Sequence, residues 1–141
     1  MYELGTKDLV QLKGLTEKTS SIDFSKRGTL RIALDRFERS YHEPYLEDQL
    51  IDYMIAFEAL FIGKKIHEQS AVITVAAGML LGTDDEERND ISKTLELAYE
   101  IRNCIVHGSD YEQKLANKKI EMHQLTKNVE NILRRSLKKL I

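Results

Sequence analysis

The chain has 141 residues, 42% of them hydrophobic and 31% charged, and its net charge of −2 excludes a polycation that coats nucleic acid. Its single cysteine excludes an internal disulfide framework and any zinc site that needs several cysteines. The longest apolar run, residues 71–81, is shorter than the ~20 residues of a membrane span, and no secretory signal follows Met1, so we expect a cytoplasmic protein without a membrane partner.

The beginning of the chain has the least regular pattern. Apolar side chains are scattered through residues 1–25, and we expect this stretch to be an extension outside a helical domain at residues 26–141. Within that domain, apolar residues recur at intervals of three and four over 30–41, which predicts one helical stripe. Pro44 ends this helix, because the residue before a proline avoids helical torsions.

Two further helices follow with unusually apolar sequences. The second is predicted from Leu46 to Ile62, begins with acidic residues that suit a helix N-terminus, and ends at Gly63. It is apolar on nearly every side, which is typical of a central, buried helix. The third is predicted from about Glu68 to Leu81, and Gly82 is its expected stop.

Two capping boxes are predicted in the second half of the chain. Thr83–Glu86 opens a fourth helix that continues to Gly108, and Ser109–Glu112 opens a fifth. The apolar face of the fifth helix comprises Leu125, Val129, Ile132, Leu133, Leu137 and Leu140. Because the connections are short, neighbouring helices should run antiparallel, so we expect an all-α antiparallel bundle of about five helices.

Positive charge is concentrated near the C-terminal end. Residues 112–141 contain eight basic and three acidic residues and carry +5, whereas residues 1–111 carry −7. If a polyanion binds, the C-terminal segment is the expected contact. The candidate RNA-binding residues are Lys127, Arg134, Arg135 and Lys138. The alternative is that these charges form the solvated face of an amphipathic helix.

One segment, Arg102-Asn103-Cys104-Ile105-Val106-His107-Gly108, combines two side chains suited to phosphate chemistry. Arg102 presents a planar set of donors that matches a phosphate, and His107 can exchange protons near neutral pH. The two are five positions apart, hence about 140° apart on an unbroken helix. They share a site only if the helix frays near His107 or if a groove lies between them. The structural alternative is a histidine and a glycine that simply end a helix.

This segment resembles the Arg-(x4–6)-His signature of the HEPN superfamily, in which a polar residue often follows the arginine. The second predicted helix, LEDQLIDYMIAFEALF at 46–61, is similar to the Apea-like branch of that superfamily. The apolar third helix ending in Leu-Leu-Gly fits the same branch. The resemblance covers residues 26–141 in matching order, and residues 1–25 lie outside it.

The resemblance implies an all-α, HEPN-like bundle that forms a homodimer and brings two Arg/His motifs together along a cleft. Active members of this superfamily are metal-independent endoribonucleases, without a cofactor, that cleave RNA through the substrate's own 2′-hydroxyl, whereas many other members are inactive or serve as RNA-binding or partner-binding modules. Such cleavage needs one group to accept the 2′-hydroxyl proton and another to protonate the leaving 5′-oxygen. Because each motif supplies one histidine, two copies supply both groups, with two arginines to stabilise the charge on phosphorus.

Two further residues are predicted to assist Arg102. Glu58 shares a helical face with Ile51 and Met54, and a carboxylate in apolar surroundings needs a cationic or hydrogen-bonding partner. We therefore expect Glu58 to pair with Arg102 and orient it; the alternatives are a pair with another base or exposure at the helix edge. Asn103 is either a neutral hydrogen-bonding helper or an ordinary amide on the helix surface.

The sequence leaves three functions open. In the first, a homodimeric endoribonuclease uses Arg102 to bind phosphate, His107 to transfer protons and the basic C-terminal helix to guide RNA. In the second, the chain is a non-catalytic helical dimer that binds RNA or a protein, as one module of a defence or stress-response protein with a cognate partner or an additional domain. In the third, it is an antitoxin-like partner of a nucleotidyltransferase, a setting in which HEPN domains occur.

Overall fold

The regular secondary structure described for the chain is entirely helical. The computed structural model describes residues 24–61 and 69–141, and these two stretches contain no β-strand. They form six helices: α1 Phe24–Ser40, α2 Leu46–Phe61, α3 Gln69–Leu81, α4 Asp85–His107, α5 Glu112–Asn117 and α6 Met122–Leu140. The predicted all-α fold class is therefore confirmed for the described residues.

The first helix begins earlier than its apolar pattern predicts. α1 starts at Phe24, whereas the apolar stripe begins at Leu30 and packs into the core from there. Residues 1–23, which make up most of the predicted extension, lie outside the described residues. The predicted helix end at Gly63 and helix start at Glu68 lie outside them as well.

α2 is the central helix, as its sequence predicts. It forms an antiparallel hairpin with α1, in which Arg36 Nη1 lies 3.2 Å from Asp52 Oδ1. In the loop between these helices, the Glu43 carbonyl accepts a hydrogen bond from Gln49 Nε2 at 3.0 Å. α2 also lies against α4 and α6. Phe57 on α2 is consequently fully buried in the core that these helices share.

α3 packs closely against the start of α4. Ser92 Oγ in α4 donates to the Thr74 carbonyl at 3.1 Å. Two glycines, Gly78 in α3 and Gly82 directly after it, face Arg88. A Cβ on Gly78 would lie 3.2 Å from the Arg88 carbonyl oxygen, and a Cβ on Gly82 would overlap the Arg88 side chain. The chain segments therefore approach more closely here than a larger residue would allow.

α3 leaves part of its apolar surface exposed. No residue of the helix is charged. Ile73 and Ala77 are buried, whereas Val75 and Met79 are 62% and 68% exposed. Within the two described stretches, neither α3 nor any other helix has both the length and the hydropathy needed to cross a bilayer.

The predicted fifth helix is divided into α5 and α6, which corrects the expected helix count. Residues 118–121 separate the two helices. α5 ends in a Schellman motif, in which the Lys119 N–H donates to the Ala116 carbonyl at 3.0 Å. The Ile120 N–H completes the motif by donating to the Leu115 carbonyl at 3.2 Å. Lys119 has a φ of 53°, a conformation usually taken by glycine, so no glycine or proline in the sequence marks this break.

Both predicted capping boxes are wrong. The N-cap of α4 is Asp84 rather than Thr83, and the Asp84 carboxylate accepts a hydrogen bond from the Glu87 N–H at 2.8 Å. The charge of a carboxylate also suits the positive end of the helix dipole, which a threonine hydroxyl does not match. The predicted box over Ser109–Glu112 does not form, because Tyr111 precedes α5 and makes no side-chain capping bond.

Candidate active site

The Arg102–His107 segment forms the last turns of α4. The helix continues without a break through His107 and then ends at Gly108, whose φ is +71°. The N–H groups of Gly108 and Ser109 donate back to carbonyls of the last turn at 3.2 and 2.8 Å, which completes a second Schellman motif. The glycine therefore ends the helix directly after His107, as the sequence predicts.

Arg102 and Glu58 form an ion pair between α4 and α2. Arg102 Nη2 lies 3.8 Å from Glu58 Oε1, and each side chain is 24% exposed. Arg102 Nη1 donates to Asn103 Oδ1 at 3.1 Å. The structure thus brings together three of the residues predicted for the catalytic site, and the expected pairing of Glu58 with Arg102 is present.

Tyr99 completes this group, although the sequence does not single it out. Its hydroxyl donates to Glu58 Oε1 at 3.4 Å, and Arg102 Cζ lies 5.6 Å from the centroid of its ring, within cation–π range. Burial, together with the nearby Glu58 charge, raises the pKa of Tyr99, so the hydroxyl remains a donor at neutral pH. Its signal in the sequence is its position three residues before Arg102, which places both on one helical face. We call Glu58, Tyr99, Arg102 and Asn103 the Arg102 cluster.

Arg102 keeps donor capacity that its neighbours do not use. Its Nε is buried and has no hydrogen-bond partner among the described residues. The 3.8 Å separation from Glu58 is longer than a hydrogen bond. A guanidinium with spare donors in a partly buried position is suited to binding a further anion.

His107 lies apart from the Arg102 cluster. It is the last residue of α4 and is exposed. Because α4 is continuous between the two residues, their side chains project about 140° apart, and a frayed helix end no longer offers a way to bring them together. Within the described part of the chain, Arg102 contacts Glu58, Tyr99 and Asn103. A site that uses both Arg102 and His107 therefore needs a second copy of the chain or a substrate that reaches around α4.

A cavity of about 310 Å³ is lined in part by residues of α4 that lie outside the Arg102 cluster. Leu97, Ile120 and Leu125 supply its apolar lining, and lysine and glutamate side chains form its rim. Neither the Arg102 cluster nor His107 lines it. The predicted catalytic residues are therefore separate from this cavity.

The candidate RNA-binding residues of α6 have different surroundings: these are Lys127, Arg134, Arg135 and Lys138. Arg134 Nη2 lies 2.8 Å from Glu130 Oε2, and the Arg134 side chain is 16% exposed. Arg135 Nη2 lies 3.4 Å from Glu87 Oε1 and so connects α6 to α4. The two lysines are exposed. The arginines are thus paired with carboxylates and partly buried, whereas both lysines are exposed.

The described residues hold no group of three or more histidine, cysteine, aspartate or glutamate side chains arranged to bind a metal ion. Comparison of the chain with protein-family models, with curated proteins and with solved structures found no significant match. The case for a function therefore depends on the chemistry of the Arg102 cluster and His107.

Proposed function

We propose that the chain is a metal-independent endoribonuclease of the HEPN type that acts as a homodimer. The observation that carries the proposal is the Arg102 side chain, which is 24% exposed and whose guanidinium lies against Glu58 and Tyr99. Nε itself is enclosed, so a phosphate would bind at the exposed part of the side chain. Arginine matches phosphate oxygens better than any other side chain.

The proposed reaction uses one histidine from each copy. Arg102 binds the scissile phosphate, and Glu58 and Asn103 orient it. The neutral imidazole of one His107 accepts the 2′-hydroxyl proton as the 2′-oxygen attacks phosphorus, and the bond from phosphorus to O5′ breaks. The protonated His107 of the other copy gives its proton to O5′. The products are a 2′,3′-cyclic phosphate and a 5′-hydroxyl, and the two histidines have exchanged protonation states.

A second copy is part of the proposal because of where the two side chains lie. Arg102 and His107 project about 140° apart on an unbroken α4. Within a single chain, the two side chains therefore point in different directions. Twofold pairing of two α4 ends would place the exposed His107 of each copy at a shared cleft. The exposed Lys127 and Lys138 of α6 would attract RNA toward it.

A non-catalytic module that binds a protein partner is the second candidate. The exposed Val75 and Met79 on α3 favour it, since adjacent exposed apolar side chains are typical of protein contacts. The charge of −7 over residues 1–111 also opposes broad contact with RNA. In this alternative, Arg102 and Glu58 are a structural pair that joins α4 to α2.

The direct test is cleavage of a 5′-labelled single-stranded RNA in the presence of EDTA. The wild-type chain is compared with His107→Ala and with His123→Ala, a matched control at another exposed histidine. We expect the wild type and His123→Ala to cleave and to leave 2′,3′-cyclic phosphate ends, and His107→Ala to be inactive. Cleavage that persists in His107→Ala indicates a contaminating nuclease, and a wild type without activity favours the binding module.

A further inference from the structure

Tyr99 contacts both members of the Arg102–Glu58 ion pair. It lies three residues before Arg102 on α4 and is half-buried. Its hydroxyl donates to Glu58 Oε1 at 3.4 Å, and the same oxygen lies 3.8 Å from Arg102 Nη2. The Arg102 guanidinium lies over its ring, with 5.6 Å between Cζ and the ring centroid. One side chain thus connects the carboxylate of α2 with the guanidinium of α4.

These two contacts restrain different groups. The hydrogen bond from the Tyr99 hydroxyl holds one Glu58 oxygen toward α4. The ring supports one face of the Arg102 guanidinium, and a planar guanidinium stacks well on an aromatic face. Glu58 alone lies too far from Arg102 to fix it by a hydrogen bond. Asn103 accepts a hydrogen bond from Arg102 at 3.1 Å, and the Tyr99 ring adds a contact of a different kind to the face of the guanidinium.

We propose that Tyr99 is a positioning residue for the phosphate-binding arginine. Its ring and hydroxyl together hold Arg102 in the orientation that leaves part of its side chain, 24% of which is exposed, open to a phosphate oxygen. The proposal rests on the ribonuclease function proposed above. Tyr99 touches no reacting atom, and its effect on the reaction passes through Arg102.

The test separates the two contacts that Tyr99 makes. Tyr99→Phe keeps the ring and removes the hydrogen bond to Glu58, whereas Tyr99→Leu removes both. Tyr111→Phe is the matched control, because burial and the nearby α2 carboxylate of Glu47 raise the pKa of Tyr111, and Tyr111 lies outside the Arg102 cluster. Thermal unfolding followed by circular dichroism confirms that each variant is folded before any comparison.

Two readouts are measured on each folded variant. The first is metal-free RNA cleavage, resolved into kcat and KM. The second is the NMR resonance of the Arg102 Nε–H group, assigned by its loss in Arg102→Lys, together with its rate of exchange with water. The second readout reports on the order of Arg102 and needs no catalytic activity.

We expect Tyr99→Leu to lower kcat by about tenfold or more, with a smaller change in KM, because a displaced group costs rate in the chemical step. Its Arg102 Nε–H should exchange faster than in the wild type. Tyr99→Phe should retain much of the wild-type kcat and of the slow Arg102 Nε–H exchange. Tyr111→Phe should leave both kcat and the exchange rate unchanged.

The outcomes distinguish this proposal from the function on which it rests. If the wild type fails to cleave RNA, the ribonuclease proposal is wrong, and faster Arg102 Nε–H exchange in Tyr99→Leu still supports the positioning role. If the wild type cleaves RNA and a folded Tyr99→Leu retains its kcat and its Arg102 Nε–H exchange rate, the positioning role is overturned. A loss of kcat with an unchanged Arg102 resonance also overturns it, because the effect would then not pass through Arg102.

Discussion

Glu130 is the most deeply buried acidic residue in the described part of the chain, with 1% exposure. Arg134 binds it through Nη2 at 2.8 Å and Nε at 3.1 Å, and the Tyr41 hydroxyl donates to it at 3.2 Å. A buried carboxylate remains charged only when such partners are present. The basic residues of α6 therefore differ in role. Arg134 neutralises a charge inside the fold, whereas Lys127 and Lys138 are exposed at the surface.

Replacement of Arg134 tests this assignment. We expect Arg134→Met to lower the free energy of unfolding by about 3–5 kcal/mol, because it leaves Glu130 buried without its cation. Lys138→Met removes an exposed cation from the same helix and should change stability by no more than about 0.5 kcal/mol. Urea denaturation followed by circular dichroism measures both. Equal effects of the two substitutions would contradict the core role of Arg134.

Tyr53 should make stability sensitive to alkaline pH. Burial raises the pKa of Tyr53 to about 12, above the ordinary value of about 10. Because the folded pKa is the higher one, the unfolded chain loses the phenolic proton first, so this contribution is intact below pH ~10 and is lost as the pH rises toward ~12. Between pH ~9 and ~11 the expected loss from this residue is roughly 1.3 kcal/mol.

Denaturation at the two pH values measures this loss. Between pH ~9 and ~11, the free energy of unfolding should fall by roughly 1.3 kcal/mol less in Tyr53→Phe than in the wild type, since phenylalanine has no proton to lose. Tyr41, whose pKa is also raised by burial and by Glu130, remains in both proteins and cancels in the comparison. The same decrease with and without the Tyr53 hydroxyl would rule out this assignment.

At the scale of helices, α4 and α5 end in the same motif with different residues at the left-handed position. Gly108 has a φ of +71° after α4, and Lys119 has a φ of +53° after α5. A side chain at such a φ costs roughly 1–2 kcal/mol relative to glycine. The first helix end is therefore unstrained, and the second is held in place by tertiary packing, because Leu115 and Ile120 on either side of Lys119 both pack on the core.

Exchanging the residue type at these two ends should change stability in opposite directions. We expect Gly108→Ala to lower the free energy of unfolding by about 1 kcal/mol and Lys119→Gly to raise it by up to about 1 kcal/mol. Lys118→Gly is the control for the second substitution, because Lys118 has a φ of −93° and gains nothing from glycine. Thermal and chemical denaturation measure the three variants, and equal stabilities of Lys118→Gly and Lys119→Gly would contradict the account.

The same two helix ends explain how far the fold could be predicted from the sequence. The predicted start of α2 and the predicted ends of α3 and α4 agree with the structure, because Pro44, Gly82 and Gly108 mark these boundaries directly. The break between α5 and α6 could not be predicted, because Lys119 occupies a position that glycine usually takes. The α4 cap is Asp84 rather than the predicted Thr83, because these two adjacent residue types can both cap a helix and the sequence does not decide between them.

At the candidate site, the sequence predicts the pairing of Glu58 with Arg102 but not the contacts that Tyr99 makes with both of them. The Glu58–Arg102 pairing follows from a carboxylate on an apolar helical face that needs a cationic partner. Tyr99 could not be predicted as part of the site, because an aromatic residue at helical spacing usually belongs to the core. The separate location of His107 follows from helical geometry alone, once α4 is continuous to its last residue.

At the scale of the whole molecule, the proposed activity requires a second copy of the chain. The Arg102 cluster joins α4 to α2 inside one copy, and His107 lies exposed at the end of α4. The reaction needs both a proton acceptor and a proton donor, and one chain offers a single histidine at this helix end. Catalysis should therefore depend on association, and association depends on concentration.

The most direct measurement is the initial rate of EDTA-resistant RNA cleavage per chain over roughly a thousandfold range of protein concentration. We expect this rate to be negligible in dilute solution, to rise as dimers form and to reach a plateau once pairing is complete. His107→Ala should show no such rise at any concentration. A rate per chain that is independent of concentration, or an absence of cleavage throughout the range, would contradict a dimeric ribonuclease.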